Sequence, residues 1–374
     1  MAPASLTAGD NSQRIDLPPP PDPPLVGMVD AFVLLGGVLA AAAAMSSPIA
    51  GSLVAGTALM WLARELFSGG GSMAGETVVI TGAGSGIGRL MAHRFAHRHA
   101  PCKLVLWDLN TKAVEATAAE CESMGAAVLA ATVDVSDWEA VCAAAKSAVA
   151  RFGQVDCLIN NAGIVTGMKL LDVPPALAAK TLDVNLKAHL WTTKAFLPGM
   201  LERNHGRIVT VASMAGLLGV GGLCDYAASK FGAVGFDESL RMELRSLGKA
   251  VRSTDAMLHH SRQLAALLCS NPAVLVLCVC QGITTTCVCP YFIATGMFTG
   301  VKGRWPFSLL FPVLEPAYVA DRIVHAVARR QQQLCIPRAG YAVGIVRLLP
   351  VGMLDFLADL LGINSSMETF EQTR

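Results

Sequence analysis

A tyrosine and a lysine stand four residues apart in the run Tyr226-Ala227-Ala228-Ser229-Lys230. This spacing would place both side chains on one face of a helix. A free tyrosine loses its proton only near about pH 10 and is therefore a poor base at neutral pH. An adjacent ammonium group favours the phenolate. The spacing predicts that Tyr226 exchanges protons with a substrate and that Lys230 lowers the pKa of Tyr226.

Two further polar residues precede this pair in the chain. Ser213 follows a β-branched run that ends at Val211, and Asn185 lies in the run Asp183-Val184-Asn185. A serine at this place can hydrogen-bond a substrate oxygen and hold it for proton exchange. Asn185 can hold a water that links Lys230 to solvent. Taken singly, such residues are common as caps or surface pairs, but together they predict one catalytic set: Asn185, Ser213, Tyr226 and Lys230.

A glycine-rich turn follows the first predicted strand, which covers Thr77 to Ile80. The turn has the pattern T-G-x-x-x-G-x-G and opens a helical pattern. Glycines allow the backbone to approach a pyrophosphate, which the amides and dipole of a helix N-terminus also favour. The pattern predicts a dinucleotide-binding loop that uses Thr81, Gly82, Ser85, Gly86, Ile87 and Gly88.

Acidic residues follow the next two predicted strands. Asp108 stands where a carboxylate can accept hydrogen bonds from the adenosine ribose, and it would repel a 2′-phosphate. This favours NAD over NADP, and NADP stays open because Arg89 and Lys112 could approach the same region. Asp134 is predicted either to contact adenine or to cap a helix, and Val135 after it is predicted to contact the cofactor.

Short apolar runs alternate with helical patterns from Gly75 onward. The runs are apolar on both faces, which is typical of a parallel sheet covered by helices on each side. The predicted fold is a doubly wound α/β domain of the Rossmann type. The predicted strands cover residues 77–80, 103–106, 127–129, 157–159, 207–211 and 283–289.

The run from Thr81 to Lys230 resembles the short-chain dehydrogenase/reductase superfamily in its glycine motif, the run Asn160-Asn161-Ala162-Gly163, Asn185, Ser213 and Tyr-x-x-x-Lys. The likeness continues to Pro290 and Thr295, which match the family's turn beside the nicotinamide. It implies that tyrosine is the acid and base, that serine positions the substrate, that lysine binds ribose and that asparagine supports a proton relay. It also implies that Asn161, Ala162, Gly163, Tyr226, Lys230, Pro290 and Thr295 contact the cofactor.

Longer runs near Ile164, His189 and Met297 resemble the membrane-anchored branch that contains epidermal-type retinol dehydrogenases and 17-beta-hydroxysteroid dehydrogenases. This likeness implies a lipophilic substrate, with retinol or retinal first and steroids or other lipid alcohols as the alternative. It further implies a homodimer at the endoplasmic reticulum or a lipid droplet, with a cytosolic catalytic domain. His189, Trp191, Met297 and Phe298 could shape an apolar entrance, and packing in the core or at a dimer interface is the alternative for these residues. A non-catalytic nucleotide-binding protein on a membrane or lipid droplet is a second functional hypothesis, and a soluble sugar or polyol reductase of the same superfamily is a third.

The composition excludes several other classes of protein. The chain has 374 residues, a formal net charge of +1 and 53% hydrophobic residues. A disordered chain and a nucleic-acid-binding protein are therefore not expected. The mean hydropathy of +0.49 indicates apolar sequence that faces lipid. The 11 cysteines lack the spacing of zinc sites and are predicted to be reduced core thiols, with no metal bound.

The chain divides into four predicted parts. Residues 1–24 form a Pro-rich disordered tail, and residues 25–67 form a membrane anchor. No charged residue occurs from 31 to 63, although Pro48 divides this stretch, and a signal peptide is the alternative. Residues 75–338 form the dehydrogenase domain, and residues 339–374 form an apolar, amphipathic segment. Within it, Gly340 to Gly362 is predicted to be one helix that lies on the membrane surface or packs on the domain.

One segment of the domain departs from the family pattern. Residues 251–281 stand where the family has a short connection between the Tyr–Lys helix and the next strand. We interpret these residues as translated intron, because Val251-Arg252-Ser253 and Gln281 fit the codons of splice junctions. A real apolar insertion that touches a membrane is the alternative. Removing the segment would restore a short connection.

Overall fold

The structure is a computed structural model, and it describes residues 71–247, 282–298 and 311–360. The predicted tail (1–24), the predicted anchor (25–67) and the unusual segment (251–281) lie outside the described residues. Within the described part of the chain, no helix is both long enough and apolar enough to cross a membrane.

Seven parallel strands form one sheet in the order β3-β2-β1-β4-β5-β6-β7. Their bounds are β1 Thr77–Thr81, β2 Lys103–Asp108, β3 Ala127–Thr132, β4 Cys157–Asn160, β5 Gly206–Val211, β6 Ile283–Pro290 and β7 Gln333–Ile336. The predicted doubly wound Rossmann-type sheet is confirmed.

Helices cover both faces of this sheet. The α-helices are α1 Gly86–Arg98, α2 Thr111–Ser123, α3 Trp138–Phe152, α4 Pro175–Leu182, α5 Ala188–Arg203, α6 Cys224–Ser246, α7 Pro316–Ala328, α8 Val343–Val346 and α9 Val351–Leu360. A π-helical turn, Asp183–Lys187, joins α4 to α5, and 3-10 turns cover Met214–Gly216, Gly296–Phe298 and Arg338–Ala342.

The sequence explains why the central strands lie between two layers. Every residue of β1, β4, β5 and β6 is buried, and the alternate side chains of β1 enter two different cores. Ile80 packs in the core with α1 and α7, while Val79 packs in the core with α3 and α5. Such strands are stable only when helices cover both faces.

Polar residues start the helices that flank the site. The Asn110 side chain accepts the N–H of Ala113 at the start of α2. At the start of α3, the Asp137 carboxylate accepts the N–H groups of Glu139 and Ala140. These side chains satisfy amides that have no partner within the helix.

The strand order reverses at β1, which lies between β2 and β4. In open α/β sheets, ligands bind outside the carboxyl ends of the strands at such a reversal. The ends of β1, β2 and β5 therefore bring Gly82, Asp108 and Ser213 to the same edge of the sheet.

Two parts of the C-terminal region differ from the sequence prediction. The seventh strand, β7, was not predicted, because its short apolar run Leu334-Cys335-Ile336 is typical of several structures. The apolar region Gly340 to Gly362 was predicted as a single helix, but Pro350 separates α8 from α9. Proline cannot donate a backbone hydrogen bond and disfavours helical geometry in the residue before it, so the helix is interrupted there.

Candidate active site

A cavity of about 840 Å³ opens at the carboxyl edge of the sheet. Polar and glycine residues line one end, and apolar side chains line the other. The residues predicted to contact a dinucleotide that line this cavity are Gly82, Ser85, Gly86, Ile87, Gly88, Asp108, Asp134, Val135, Asn161, Ala162, Gly163, Tyr226, Lys230, Pro290 and Thr295. Ser213 also lines it, whereas Thr81 and Asn185 do not.

The glycine loop lies between β1 and α1. Gly82 has φ +66° and Gly86 has φ +52°, a backbone region that other residues rarely adopt. A Cβ on Gly88 would lie 2.0 Å from the carbonyl oxygen of Gly82. Ser85, which caps α1, makes no side-chain cap hydrogen bond. The amides of the first turn of α1 are therefore left to an anionic ligand or solvent.

Thr81 and Asn161 hold the ends of β1 and β4 together. The Thr81 hydroxyl oxygen accepts the N–H groups of Asn161 and Ala162, each at 3.0 Å. The Asn161 side-chain amide donates to the carbonyl oxygen of Thr81 at 2.9 Å. Thr81 was predicted to contact the dinucleotide. Its buried side chain instead stabilises the glycine loop from the side away from the cavity.

The Asp108 carboxylate fixes the glycine loop from the end of β2. Its Oδ2 accepts the N–H of Gly84 at 2.9 Å, and its Oδ1 accepts the N–H of Asn110 at 2.9 Å. A Cβ on Gly84 would lie 3.0 Å from Oδ2, so glycine permits this close approach. A carboxylate oxygen can accept more than one hydrogen bond, which leaves Asp108 able to receive ribose hydroxyls.

Asp134 is held by two neighbours and does not cap α3. Its Oδ1 accepts the N–H of Ser136 at 2.9 Å, and Lys180 Nζ donates to its Oδ2 at 3.0 Å. Although burial alone would raise the pKa of Asp134, the hydrogen bonds from Ser136 and Lys180 and the charge of Lys180 lower it. Of the two predicted roles, the capping role belongs to Asp137.

Ser213 and Tyr226 both line the cavity. Ser213 follows β5, and its Oγ accepts the N–H of Ala215 at 3.1 Å. Burial raises the pKa of Tyr226 to about 12, although a side-chain hydrogen bond with Ser213 lowers it in part. The hydroxyl groups of Ser213 and Tyr226 thus form one hydrogen-bonded pair at the cavity surface.

Lys230 lies one helical turn after Tyr226 on α6. Its Nζ donates to the carbonyl oxygen of Val211 at 2.8 Å and lies 5.7 Å from the centroid of the Tyr226 ring. Burial lowers the pKa of Lys230 to about 8. Burial is the largest influence on the pKa of Tyr226 and raises it, so a lowering of this pKa by Lys230 stays a prediction.

Asn185 braces the loop after β4 from the π-helical turn. Its Oδ1 accepts the N–H of Ile164 at 2.8 Å, while its Nδ2 donates to the carbonyl oxygen of Ile164 at 2.9 Å and to Ser229 Oγ at 3.0 Å. The side-chain amide is thus bonded within the protein. Both N–H groups of the Asn185 amide are used in these bonds, so neither is left to donate to the predicted water.

An apolar wall that the sequence did not predict completes the cavity. Its residues come from the loop after β5, the segment after β6 and the C-terminal turns: Met214, Leu218, Val220, Leu223, Phe292, Phe311, Val343 and Val346. Their spacing along the chain carries no signal of a shared site. Met297 lines this wall as predicted.

His189 and Trp191 do not line the cavity. His189 is buried beside Phe236, with ring centroids 6.3 Å apart, and Trp191 packs against Trp138. The predicted entrance role is therefore wrong for both residues. The side chain of Phe298 lies outside the described part of the chain.

The residues present fit a nicotinamide dinucleotide. The loop glycines form a cradle that a Cβ on Gly88 would fill, and the uncapped start of α1 offers amides to a pyrophosphate. Asp108 offers carboxylate oxygens at the ribose end. Among the described residues, no group of three histidine, cysteine or acidic side chains is placed to hold a metal ion.

Comparisons with known proteins agree with this geometry. The family described as short chain dehydrogenase matches residues 76–255. Epidermal retinol dehydrogenase 2 from Mus musculus is 42% identical over 301 residues, which is 80% of this chain and 86% of that protein.

Two solved structures are also similar. A short chain dehydrogenase/reductase from Burkholderia phymatum in complex with NAD has a TM-score of 0.60 and 26% identity, over 75% of this chain and 96% of that one. A metagenomic short-chain oxidoreductase in complex with NADP has a TM-score of 0.52 and 25% identity, over 70% of this chain and 96% of that one. With its parallel sheet, glycine loop and Ser–Tyr pair, the chain belongs to the short-chain dehydrogenase/reductase family and is an NAD(P)-dependent oxidoreductase of alcohols.

Proposed function

We propose that the protein transfers hydride between NAD and a lipophilic alcohol or aldehyde, with retinol and retinal as the substrates. The observation that carries this proposal is that the glycine loop, the Ser213–Tyr226 pair and the apolar wall line one cavity, in which Tyr226 packs with Leu223 and Phe292. A polyene alcohol would lie along Leu218, Phe292 and Val343, with its hydroxyl at the pair. The relative from Mus musculus is named for retinol, which supports this substrate class.

The proposed chemistry divides between two hydroxyl groups and an amine. Ser213 holds the substrate oxygen, because the N–H of Ala215 fixes the position of its Oγ. Tyr226 exchanges a proton with that oxygen, while the bound dinucleotide supplies the hydride acceptor or donor. Lys230 Nζ uses one N–H on the carbonyl oxygen of Val211, which leaves donors for ribose hydroxyls.

Asn185 acts in this proposal as a positioning residue. It joins the loop at Ile164 to α6 through Ser229, which lies directly before Lys230. A Cβ on Gly163 would lie 3.3 Å from Asn185 Oδ1 and 3.7 Å from Lys230 Nζ. The asparagine thereby fixes the loop close to the lysine amine. Thr81 likewise acts by supporting the glycine loop.

We assign NAD as the preferred cofactor because of Asp108. Its carboxylate is fixed at the ribose end of the cavity by the N–H groups of Gly84 and Asn110. A 2′-phosphate at that place would meet a like charge, which is unfavourable. Lys112 is exposed at the start of α2, so NADP is the alternative that the cofactor assay must test.

The C-terminal helix α9 supports a proposed contact with a membrane or lipid-droplet surface. Its side chains Val351, Met353 and Phe356 are 73%, 54% and 66% exposed. Val346, at the end of the preceding helix α8, lines the cavity. If these exposed apolar side chains entered lipid, the nearby cavity-lining helix α8 would lie close to the membrane, and a lipid-soluble alcohol could enter directly from lipid. Fractionation into endoplasmic reticulum, lipid droplets and cytosol tests this localisation.

A homodimer is the proposed assembly. Leu190 on α5 and Met242 on α6 are 44% and 56% exposed, which leaves apolar side chains on the outer faces of the long helices. Light scattering on the purified protein measures its mass. A monomeric mass at micromolar concentration would contradict the proposal.

The substrate proposal is tested with retinol, retinal and a 17-beta-hydroxysteroid, each with NAD and NADP cofactors, on membranes that contain wild type or Tyr226→Phe. We expect wild type to convert retinol with NAD and the variant to be slower by about 10³-fold, since it lacks the acid and base. Tyr318→Phe, on α7 outside the cavity lining, is the control and should match wild type.

Three results would contradict parts of this proposal. Conversion of the steroid alone would reject retinol as the substrate. Equal turnover by wild type and Tyr226→Phe would reject the assigned chemistry. Nucleotide binding without turnover of any alcohol would favour a non-catalytic nucleotide-binding protein.

A further inference from the structure

Three charged or titratable side chains meet on the outer side of α1, close in sequence to the glycine loop. Arg89, in the first turn of α1, donates from Nε to Glu120 Oε2 at 2.9 Å and from Nη2 to Glu120 Oε1. His93, one turn further on α1, has its Nε2 2.7 Å from Glu120 Oε2. Glu120 lies on α2, which follows Asp108 in the chain. A two-pronged bond of this kind fixes the direction of a guanidinium group.

The consequence concerns the adenosine end of the cavity. A 2′-phosphate on the ribose would be accepted only if a cation could offset the Asp108 carboxylate. Arg89 directly follows Gly88, the last glycine of the loop, yet it does not line the cavity. Both of its bonding nitrogens point to Glu120, so its charge is directed toward α2.

The surroundings make this arrangement stable. His93 is 5% exposed, and its bond to Glu120 holds the carboxylate from the buried side. Arg89 bonds from the exposed side, with 44% of its side chain accessible. The Glu120 carboxylate is therefore bonded on both sides. While the Arg89–Glu120 pair persists, the guanidinium group cannot turn toward the glycine loop.

We propose that Glu120 is a cofactor-specificity residue, which holds Arg89 on α2 and so keeps its guanidinium from a 2′-phosphate. Glu120 is a positioning residue, because it acts through Arg89 and does not line the cavity. The inference rests on the proposed preference for NAD. It adds a second determinant to Asp108: one carboxylate repels the phosphate, and the other withholds a cation.

The test is calorimetric titration of full-length protein with NAD⁺, NADP⁺ and 2′,5′-ADP. Glu120→Gln keeps the size of the side chain and a hydrogen-bonding group for His93 but removes the charge that holds Arg89. We expect affinity for NADP⁺ and 2′,5′-ADP to rise about tenfold, the size of one charge-assisted contact of about 1.4 kcal/mol, with affinity for NAD⁺ within about twofold of wild type.

Two further variants make the result specific. Glu122→Gln makes the same charge change on an exposed residue of the same helix and should leave all three affinities unchanged. Arg89→Met combined with Glu120→Gln should abolish the gain for NADP⁺, because the cation is gone. Thermal unfolding of each variant verifies that the fold is intact.

Three results would overturn the inference: an unchanged NADP⁺ affinity in folded Glu120→Gln, a gain of the same size in Glu122→Gln, or a gain that persists without Arg89. A wild-type protein that binds NADP⁺ more tightly than NAD⁺ would contradict the proposed cofactor preference instead. In that case the change caused by Glu120→Gln, relative to wild type, still decides whether Glu120 restrains Arg89.

Discussion

The two ends of the cavity are built in different ways. At the nucleotide end, the groups available to a ligand belong mainly to the backbone. Gly82, Gly86 and Gly88 allow the backbone to approach a pyrophosphate closely, and the start of α1 presents backbone amides. At the reaction end, the groups that matter are the side chains of Ser213 and Tyr226, which come from different elements. The first end depends on the absence of side chains and the second on their exact placement.

This difference also appears in the electrostatics. Near the glycine loop, Asp108 is fixed by two backbone N–H groups and is only partly buried. At the reaction end, burial raises the pKa of Tyr226 to about 12 and lowers the pKa of Lys230 to about 8. Both shifts disfavour the charged forms. Burial therefore disfavours the charged forms at the reaction end, whereas at the nucleotide end hydrogen bonds from Ser136 and Lys180 and the charge of Lys180 outweigh burial and lower the pKa of Asp134.

After the loss expected for Tyr226→Phe, the largest expected effect distinguishes the two ends of the cavity by their chemistry. Ser213→Ala removes the hydroxyl that bonds Tyr226 and would hold the substrate oxygen. Turnover should fall by about 10²-fold, as when one preorganised donor is removed, while NAD⁺ affinity stays within about twofold. Steady-state kinetics and calorimetry measure the two quantities.

Ser147→Ala is the control for this change, because Ser147 lies exposed on α3 and bonds only the carbonyl oxygen of Ala143 among the described residues. A parallel loss of NAD⁺ binding in Ser213→Ala would show that the two ends are not separable.

The second expected effect is at the nucleotide end and changes NAD⁺ affinity. Gly88→Ala places a Cβ against the carbonyl oxygen of Gly82, and backbone atoms on both sides must shift. Overpacking of this kind costs about 1–3 kcal/mol, so NAD⁺ affinity should fall by about tenfold to 100-fold. Gly219→Ala meets no atom within 4 Å and should bind NAD⁺ as wild type does. Unchanged binding by Gly88→Ala would contradict the close approach of the loop.

The last expected effect concerns the stability of α6, the helix that carries Tyr226 and Lys230. Asp237 lies on the buried face of α6, and its Oδ2 accepts the hydroxyl of Thr285 at 3.1 Å. Burial raises the pKa of Asp237 to about 6, so the folded state holds this proton more tightly than the unfolded state does. Its contribution to stability is complete below about pH 4 and is lost as the pH rises through about 6.

Asp237→Asn should remove this pH dependence. Relative to wild type, the variant should gain on the order of 3 kcal/mol in the free energy of unfolding between about pH 4 and pH 7. Urea unfolding at both pH values measures the change, and Glu238→Gln, at an exposed neighbouring position, is the control. An equal difference between variant and wild type at both pH values would contradict the effect of burial on Asp237.

Much of the fold could be predicted from local patterns. Six of the seven strands were predicted, because β-branched and apolar runs such as Thr77 to Ile80 are short and clearly bounded. The last strand and the break at Pro350 were missed. A run as short as Leu334-Cys335-Ile336 becomes a strand only because β6 offers an edge for pairing.

Residue types and spacing by themselves determined the sheet architecture and the dinucleotide-binding character of the chain, since a glycine loop and a Tyr-x-x-x-Lys pair act over a few residues. Only the tertiary structure decided the environment of those groups. The apolar wall gathers Leu218, Phe292 and Val343 from distant segments, and burial sets the pKa of Tyr226 and Lys230. Burial and long-range contacts depend on how the layers pack, and no local spacing encodes them.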